Sequence, residues 1–101
     1  MKKILFLLSL TILFSCADKK EVLLSTEISC GQCQFSMTTQ EGCDLAVRID
    51  GEPYFVDGFN IDAFGDAHAE HTGFCEAIRK AKIKGAVVDA RYKATSIVLE
   101  D

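Results

Sequence analysis

An apolar run that ends at Cys16 decides how much of this chain is left to fold. Lys2 and Lys3 precede Ile4-Leu5-Phe6-Leu7-Leu8-Ser9-Leu10-Thr11-Ile12-Leu13-Phe14-Ser15, and a cysteine closes the stretch. A positive start, an apolar middle and a small residue before the end make a secretory leader. The run is too short to cross about 30 Å of hydrocarbon as a helix, which takes roughly 20 residues. Ala17-Asp18-Lys19-Lys20-Glu21 then stops it at once.

Leu13-Phe14-Ser15-Cys16 resembles a bacterial lipobox. The resemblance implies that residues 1–15 are a removed signal peptide and that Cys16 is acylated. Residues 16–21 are then a lipidated tether, and 22–101 form a single domain. The expected place is the cell membrane or outer membrane, held through the lipid at Cys16 and facing the periplasm or the exterior. Ala17, where an Asp would retain the protein, resembles the pattern that permits transfer to an outer membrane.

The formal charge is −4, and removing Lys2 and Lys3 leaves −6 on Cys16–Asp101. Nucleic-acid binding rests on neutralising phosphates with Lys and Arg, so a chain this acidic is not expected to bind it. Lys80, Lys82 and Lys84 are the one basic cluster and read as a solvated strand face.

A domain of about 80 residues buries only about 60% of its unfolded surface and often needs staples. Four cysteines follow Cys16: Cys30, Cys33, Cys43 and Cys75. In an exported chain an even number reads first as a disulfide framework, with three pairings open. A Cys43–Cys75 bridge would tie a long loop to the sheet, and closing about 33 residues is worth roughly 3–4 kcal/mol.

The chain reads mainly as strands. Val22, Leu24, Thr26, Ile28 and Cys30 alternate with Leu23, Ser25, Glu27 and Ser29, the period of a half-buried strand. Leu45, Val47 and Ile49 repeat it, and Asp50-Gly51 suits a tight hairpin to Tyr54–Val56. Ala81–Val88, with Ile83 and Val87 inward and the lysines outward, and Arg91–Leu99 complete five. Parity changes between Tyr92/Ala94 and Ile97/Leu99, which calls for a bulge near Thr95-Ser96. Thr72 is an N-cap candidate for a short helix with Phe74 and Ile78 on one face. The expected fold is a small five-stranded OB-like β-barrel with one short helix between strands 3 and 4. An open antiparallel sheet crossed by one helix is the other arrangement.

At Cys30-Gly31-Gln32-Cys33, Gly42-Cys43-Asp44-Leu45-Ala46-Val47, Tyr54-Phe55-Val56-Asp57-Gly58, Gly65-Asp66-Ala67-His68 and Gly73-Phe74-Cys75 the chain resembles a family of small bacterial lipoproteins, domain of unknown function 6370. The resemblance implies a lipidated envelope protein with these cysteines as a set. It brings no activity or ligand.

Chemistry can sit at three places. Cys30-x-x-Cys33 can bridge, clamp a metal or exchange thiols. Thioredoxin-type exchange wants the motif opening a helix, and Gln34–Gln40 is a poor helix candidate. Joined with His68, His71 and Cys75, the pair makes a metal set: Cys30, Cys33, His68, His71 and Cys75. Two thiolates and two imidazoles suit zinc, while thiolates with Met37 suit Cu(I). Asp62, Asp66 and Glu70 recur every four residues, but Gly65 interrupts them and no EF-hand pattern is present. Neither a nucleophile elbow nor a phosphate loop occurs, so no catalytic residue is assigned. The functional expectation is an envelope lipoprotein whose disulfide-stapled barrel binds a ligand or an envelope protein partner. A zinc or copper protein and a thiol-disulfide redox protein are the alternatives.

Overall fold

The computed structural model describes residues 22–100. The expected leader, Cys16 and the expected tether lie outside the described residues. Five strands, β1 (Val22–Cys30), β2 (Leu45–Ile49), β3 (Glu52–Asp57), β4 (Arg79–Val88) and β5 (Arg91–Leu99), close a barrel in the order β1-β2-β3-β5-β4. The OB-like expectation holds and the open sheet does not. β1 pairs with both β2 and β4, and a short parallel contact, Val56 with Tyr92 and Asp57 with Lys93, closes the remaining seam. Arg91 Nε donates to Asp57 Oδ1 at 2.8 Å across that seam. No helix among the described residues is long and apolar enough to cross a membrane.

Alternation along the strands fills the interior. Ile28, Cys30, Leu45, Val47, Val56, Ala81, Ile83, Tyr92 and Ile97 are buried there. Val87 lies opposite Tyr92, at the end of its hairpin, and stays 39% exposed. The bulge falls where the parity change demanded it. Lys84 pairs with Ser96 and Gly85 with Ala94, so Thr95 is the extra residue. Its hydroxyl donates to the Lys84 carbonyl at 3.2 Å. A second, smaller cluster of Phe35, Ala46, Phe55 and Met37 covers the outside of β2 and β3, with the Arg48 guanidinium 4.5 Å from the Phe35 ring centre.

A helical turn does lie between the third and fourth strands, but at Ile61–Phe64 instead of after Thr72. Asn60 caps it by accepting from the Asp62 N–H at 2.9 Å, which leaves Asp62 at its start. Residues 65–78 form successive turns: Gly73 N–H donates to Ala69 O and Ala77 N–H to Gly73 O, but the Phe74 carbonyl that would continue a helix accepts from the Cys30 N–H and the Ser29 hydroxyl instead. Phe74 is buried and Ile78 is 41% exposed, so the two do not share a helical face. A separate helical turn, α1 (Gly31–Gln34), follows β1 directly.

The two hairpins differ in one instructive way. Asp50-Gly51 adopts φ values of 53° and 84°, and Asp89-Ala90 adopts 54° and 65°. Ala90 therefore holds a left-handed conformation that strains any residue with a Cβ. Ala90→Gly is expected to stabilise the domain by about 1 kcal/mol, read as a raised urea midpoint at unchanged slope.

A candidate metal centre of four cysteines

Everything at the functional end of the barrel hangs on the last two residues of the first strand and the turn behind them. Ser29 and Cys30 are fully buried, and Gly31 is buried beside them. Such backbone groups must find partners, since leaving them unpaired away from water is costly. The Cys30 N–H donates to Phe74 O (3.2 Å), and the Gly31 N–H to Asp44 O (2.8 Å). The Ser29 hydroxyl is shared between Phe74 O (2.6 Å) and Ala77 O (2.7 Å). These bonds draw two loops to one spot, the residues before β2 and those before β4. Each loop carries a cysteine there.

Side chains of α1 complete the ties. Gln32 Nε2 donates to Asp44 Oδ2 (2.8 Å), while Gln32 Oε1 accepts from the Asp44 N–H (2.8 Å). Gln34 Nε2 donates to Cys75 O (3.0 Å). Gln32 thus fixes the loop of Cys43, and Gln34 that of Cys75. Gly73 permits the second approach, because a Cβ there would lie 2.2 Å from the Ala67 carbonyl oxygen. Phe74 anchors the same loop in the core and meets Phe64 edge-on at 5.9 Å. Burying a ring of this kind contributes roughly 1.5–3 kcal/mol.

The result is a group of four thiols. The Sγ atoms of Cys30, Cys33, Cys43 and Cys75 all lie within 4.8 Å of one another, close enough to hold a metal ion. Cys30 Sγ is 2.8 Å from Cys33 Sγ and 2.9 Å from Cys43 Sγ, and Cys33 and Cys43 are 3.6 Å apart. Cys30 is buried, Cys43 and Cys75 are half-buried, and Cys33 is exposed. All four are free thiols in this structure, including Cys43 and Cys75. Because the four lie together, distance does not single out that pair for a bridge.

The cluster polarises its members unequally. Burial alone would raise the Cys30 thiol, but hydrogen bonding with the Cys33 and Cys43 thiols, the Cys33 amide and Cys75 outweighs it and holds Cys30 below 9.0. Burial pushes Cys33 up to about 12, with Cys30 and Cys75 adding to it. Burial likewise raises Cys43, helped by Cys30. The neighbours support one thiolate and oppose a second, as expected when like charges share a small site.

The histidines fall elsewhere. His68 and His71 are both exposed, outside this group of four. The His68 ring lies 4.0 Å from Asp66, and His71 takes φ 72° in a turn. Met37 packs in the outer cluster against Phe35, Ala46 and Phe55. The sequence-derived metal set therefore divides: Cys30, Cys33 and Cys75 come together, joined by Cys43, and the two histidines do not. The signal for Cys43 was the register. An antiparallel β1–β2 pair that sets Cys30 opposite Leu45 brings residue 43 back beside the Cys30-x-x-Cys33 turn.

Asp44 is the polar keystone of this shell. Gln32 and Gln40 donate to its carboxylate and hold it below the ordinary 3.8, against burial and with help from Arg91. A carboxyl group whose folded value is depressed adds stability above its unfolded value, and loses that contribution as pH falls through the folded one. Asp44→Ala is expected to cost about 1 kcal/mol near neutral pH. The gap between variant and parent should close as the medium is acidified below the ordinary carboxylate range, as thermal unfolding at several pH values would show.

A family model described as a family of unknown function (DUF6370) matches residues 24–100. No curated protein and no solved structure matches the chain.

Proposed function

The chain belongs to that family of unknown function (DUF6370), and from its thiol cluster we propose a lipid-anchored envelope protein whose barrel is stapled by one metal ion, zinc by donor chemistry. The convergence of four Sγ atoms within 4.8 Å carries this reading. Tetrahedral zinc with Zn–S bonds of about 2.3 Å sets its sulfurs about 3.8 Å apart, and structural zinc sites include closed shells of four thiolates. Cys30, Cys33, Cys43 and Cys75 supply that shell from three segments, and small movements of Cys30 away from its two near neighbours would regularise it. When bound, the divalent ion supplies the positive charge that lets the remaining thiols ionise. Soft thiolates also suit Cu(I) and iron–sulfur chemistry. Zinc is preferred because four protein sulfurs fill its tetrahedron and Met37 stands apart in the outer cluster.

The metal takes over the stapling that a disulfide framework would perform. It fastens the loops before β2 and β4 to the end of β1. Protein purified without reductant or chelator should carry one zinc per chain by elemental analysis, and a chelator should lower its melting temperature. Each of Cys30→Ser, Cys33→Ser, Cys43→Ser and Cys75→Ser should lose the metal. Double variants should be little less stable than singles, since one shared staple is lost only once. Protein without metal or titratable thiols, melting lower in reductant but not in chelator, would assign two disulfides instead.

Anchoring rests on Cys16, which follows the only long apolar stretch of the sequence. Cys16→Ala is expected to leave the precursor uncleaved or to move the domain out of the membrane fraction. Persistence of mature protein in salt-washed membranes would refute the acyl anchor.

A further inference from the structure

We infer that the outer face of β1, β4 and β5 docks against an anionic phospholipid surface. The inference takes the nearby bilayer from the anchor reading and owes nothing to the metal. Lys80, Lys82, Lys84 and Lys93 are the lysines of residues 22–100, and all four are exposed. Strand register places them together. Lys84 lies between Leu23 and Ser96, Lys82 between Ser25 and Val98, Lys80 opposite Glu27, and Lys93 opposite Ala86. Leu23 and Val98, in the same two rows, are 59% and 60% exposed. A face that mixes lysines with exposed aliphatic side chains suits the headgroup boundary of a membrane, where ammonium groups meet phosphates and apolar groups sink below them.

Three carboxylates border this face, and each is engaged. Glu27 accepts from Arg48 Nε (2.9 Å), Glu100 from the Ser25 hydroxyl (2.6 Å), and Asp57 from Arg91 Nε (2.8 Å). Charge is thus segregated in a chain that is acidic overall, with net −4. The occupant is named by where the preceding chain ends. Val22 begins β1 on this side of the barrel, and only residues 17–21 separate it from Cys16. Fully extended, a segment of this length reaches at most about 22 Å, so an acyl group on Cys16 holds Leu23, Lys84 and Lys82 close to the headgroups. β1 carries Cys30 at its far end, roughly 26 Å away at the rise of an extended strand. Docking by this face leaves the thiol cluster at the end of β1 away from the tether, outside the lysine rows.

The test uses the full-length processed protein, purified from membranes and reconstituted in vesicles of phosphatidylcholine alone or with added phosphatidylglycerol. A water-soluble amine-acylating reagent then reports lysine exposure by peptide mass spectrometry. Lys82, Lys84 and Lys93 should be protected on anionic vesicles at low salt, and reactive on neutral vesicles or at high salt. Each lysine near such a surface is worth about a fivefold change in binding, so Lys82→Glu with Lys84→Glu should abolish the protection. Equal reactivity on both vesicles overturns the inference. Protection found in native membranes but on neither vesicle assigns the face to a protein, and overturns it as well. Flotation with neutral vesicles at high salt reads the anchor separately. If flotation fails, the anchor reading falls, and charge-dependent flotation on anionic vesicles alone still decides the docking face.

Discussion

The hydrogen bonds made by Ser29, Cys30 and Gly31 organise this molecule. A barrel of this order can close without fixing the long connections before β2 and before β4. Here the buried end of β1 offers two backbone N–H groups and a hydroxyl that require acceptors, and Asp44, Phe74 and Ala77 supply them. A buried polar group left without a partner costs about 1–3 kcal/mol. Both loops are therefore held where that cost is avoided. The cysteines follow from this placement, since Cys43 and Cys75 each stand one residue from a carbonyl so engaged. The thiol cluster at this end of the barrel is a consequence of satisfying the backbone.

How much of this the sequence shows depends on the range of the interaction. The first strand is legible from Val22 to Cys30 because its alternation is local, and the bulge at Thr95 is legible because parity cannot change without one. Barrel closure is less so, since it turns on the short parallel contact of Val56 with Tyr92, which no local period announces. The region 58–78 is different again. Its geometry is set by contacts such as Gly73 against Ala67 and Phe74 in the core. Thr72 carries a helix signal, and one helical bond does form, Ala77 N–H to Gly73 O, but the Phe74 carbonyl that the next bond needs is taken by the Cys30 N–H and the Ser29 hydroxyl. Setting His71 beside Cys75 takes a helical turn from 71 to 75, whose closing amide, Cys75 N–H, donates to Ala67 O instead, and His68 and His71 stay at the surface. The membership of Cys43 depended on β-sheet register, which connects residues that look remote along the chain.

The electrostatics of the cluster bear on its chemical state. Four clustered thiols favour one thiolate, at Cys30, which hydrogen-bonds with its neighbours and accepts from the Cys33 amide. Burial first, then hydrogen bonds with Cys30 and Cys75, raise Cys33 and Cys43, and a charge on Cys30 adds to this opposition to a second thiolate. Two routes relieve this repulsion: pairwise oxidation, which removes the protons and the charge together, or a cation, which compensates several thiolates at once. An oxidising compartment favours the first for exposed pairs. Occupied metal sites oppose it, because coordinated sulfur is no longer a free nucleophile for exchange. Cys30 is almost equidistant from Cys33 and Cys43, so distance does not choose between the two bridges it could form. A single ion uses all four sulfurs without choosing.

On the proposed reading the first strand is also the axis of the molecule's orientation. Its amino end adjoins the tether and the lysine-bearing face, and its carboxyl end holds the thiols. A strand buried at one end and exposed at the other, as Cys30 and Val22 are, is what a barrel needs when one end is plugged by loops and the other follows a linker. A short tether makes this polarity consequential. With only residues 17–21 between the acyl site and Val22, the amino end of β1 is kept near the headgroups, and the sulfur lies at the strand's other end. Exposure of Cys33 then has a physical meaning. Of the four cysteines it alone is exposed, so exchange of a bound ion with a solute or a partner would begin at that sulfur. Cys30, locked to the core and to Phe74, remains the fixed ligand about which the site is built.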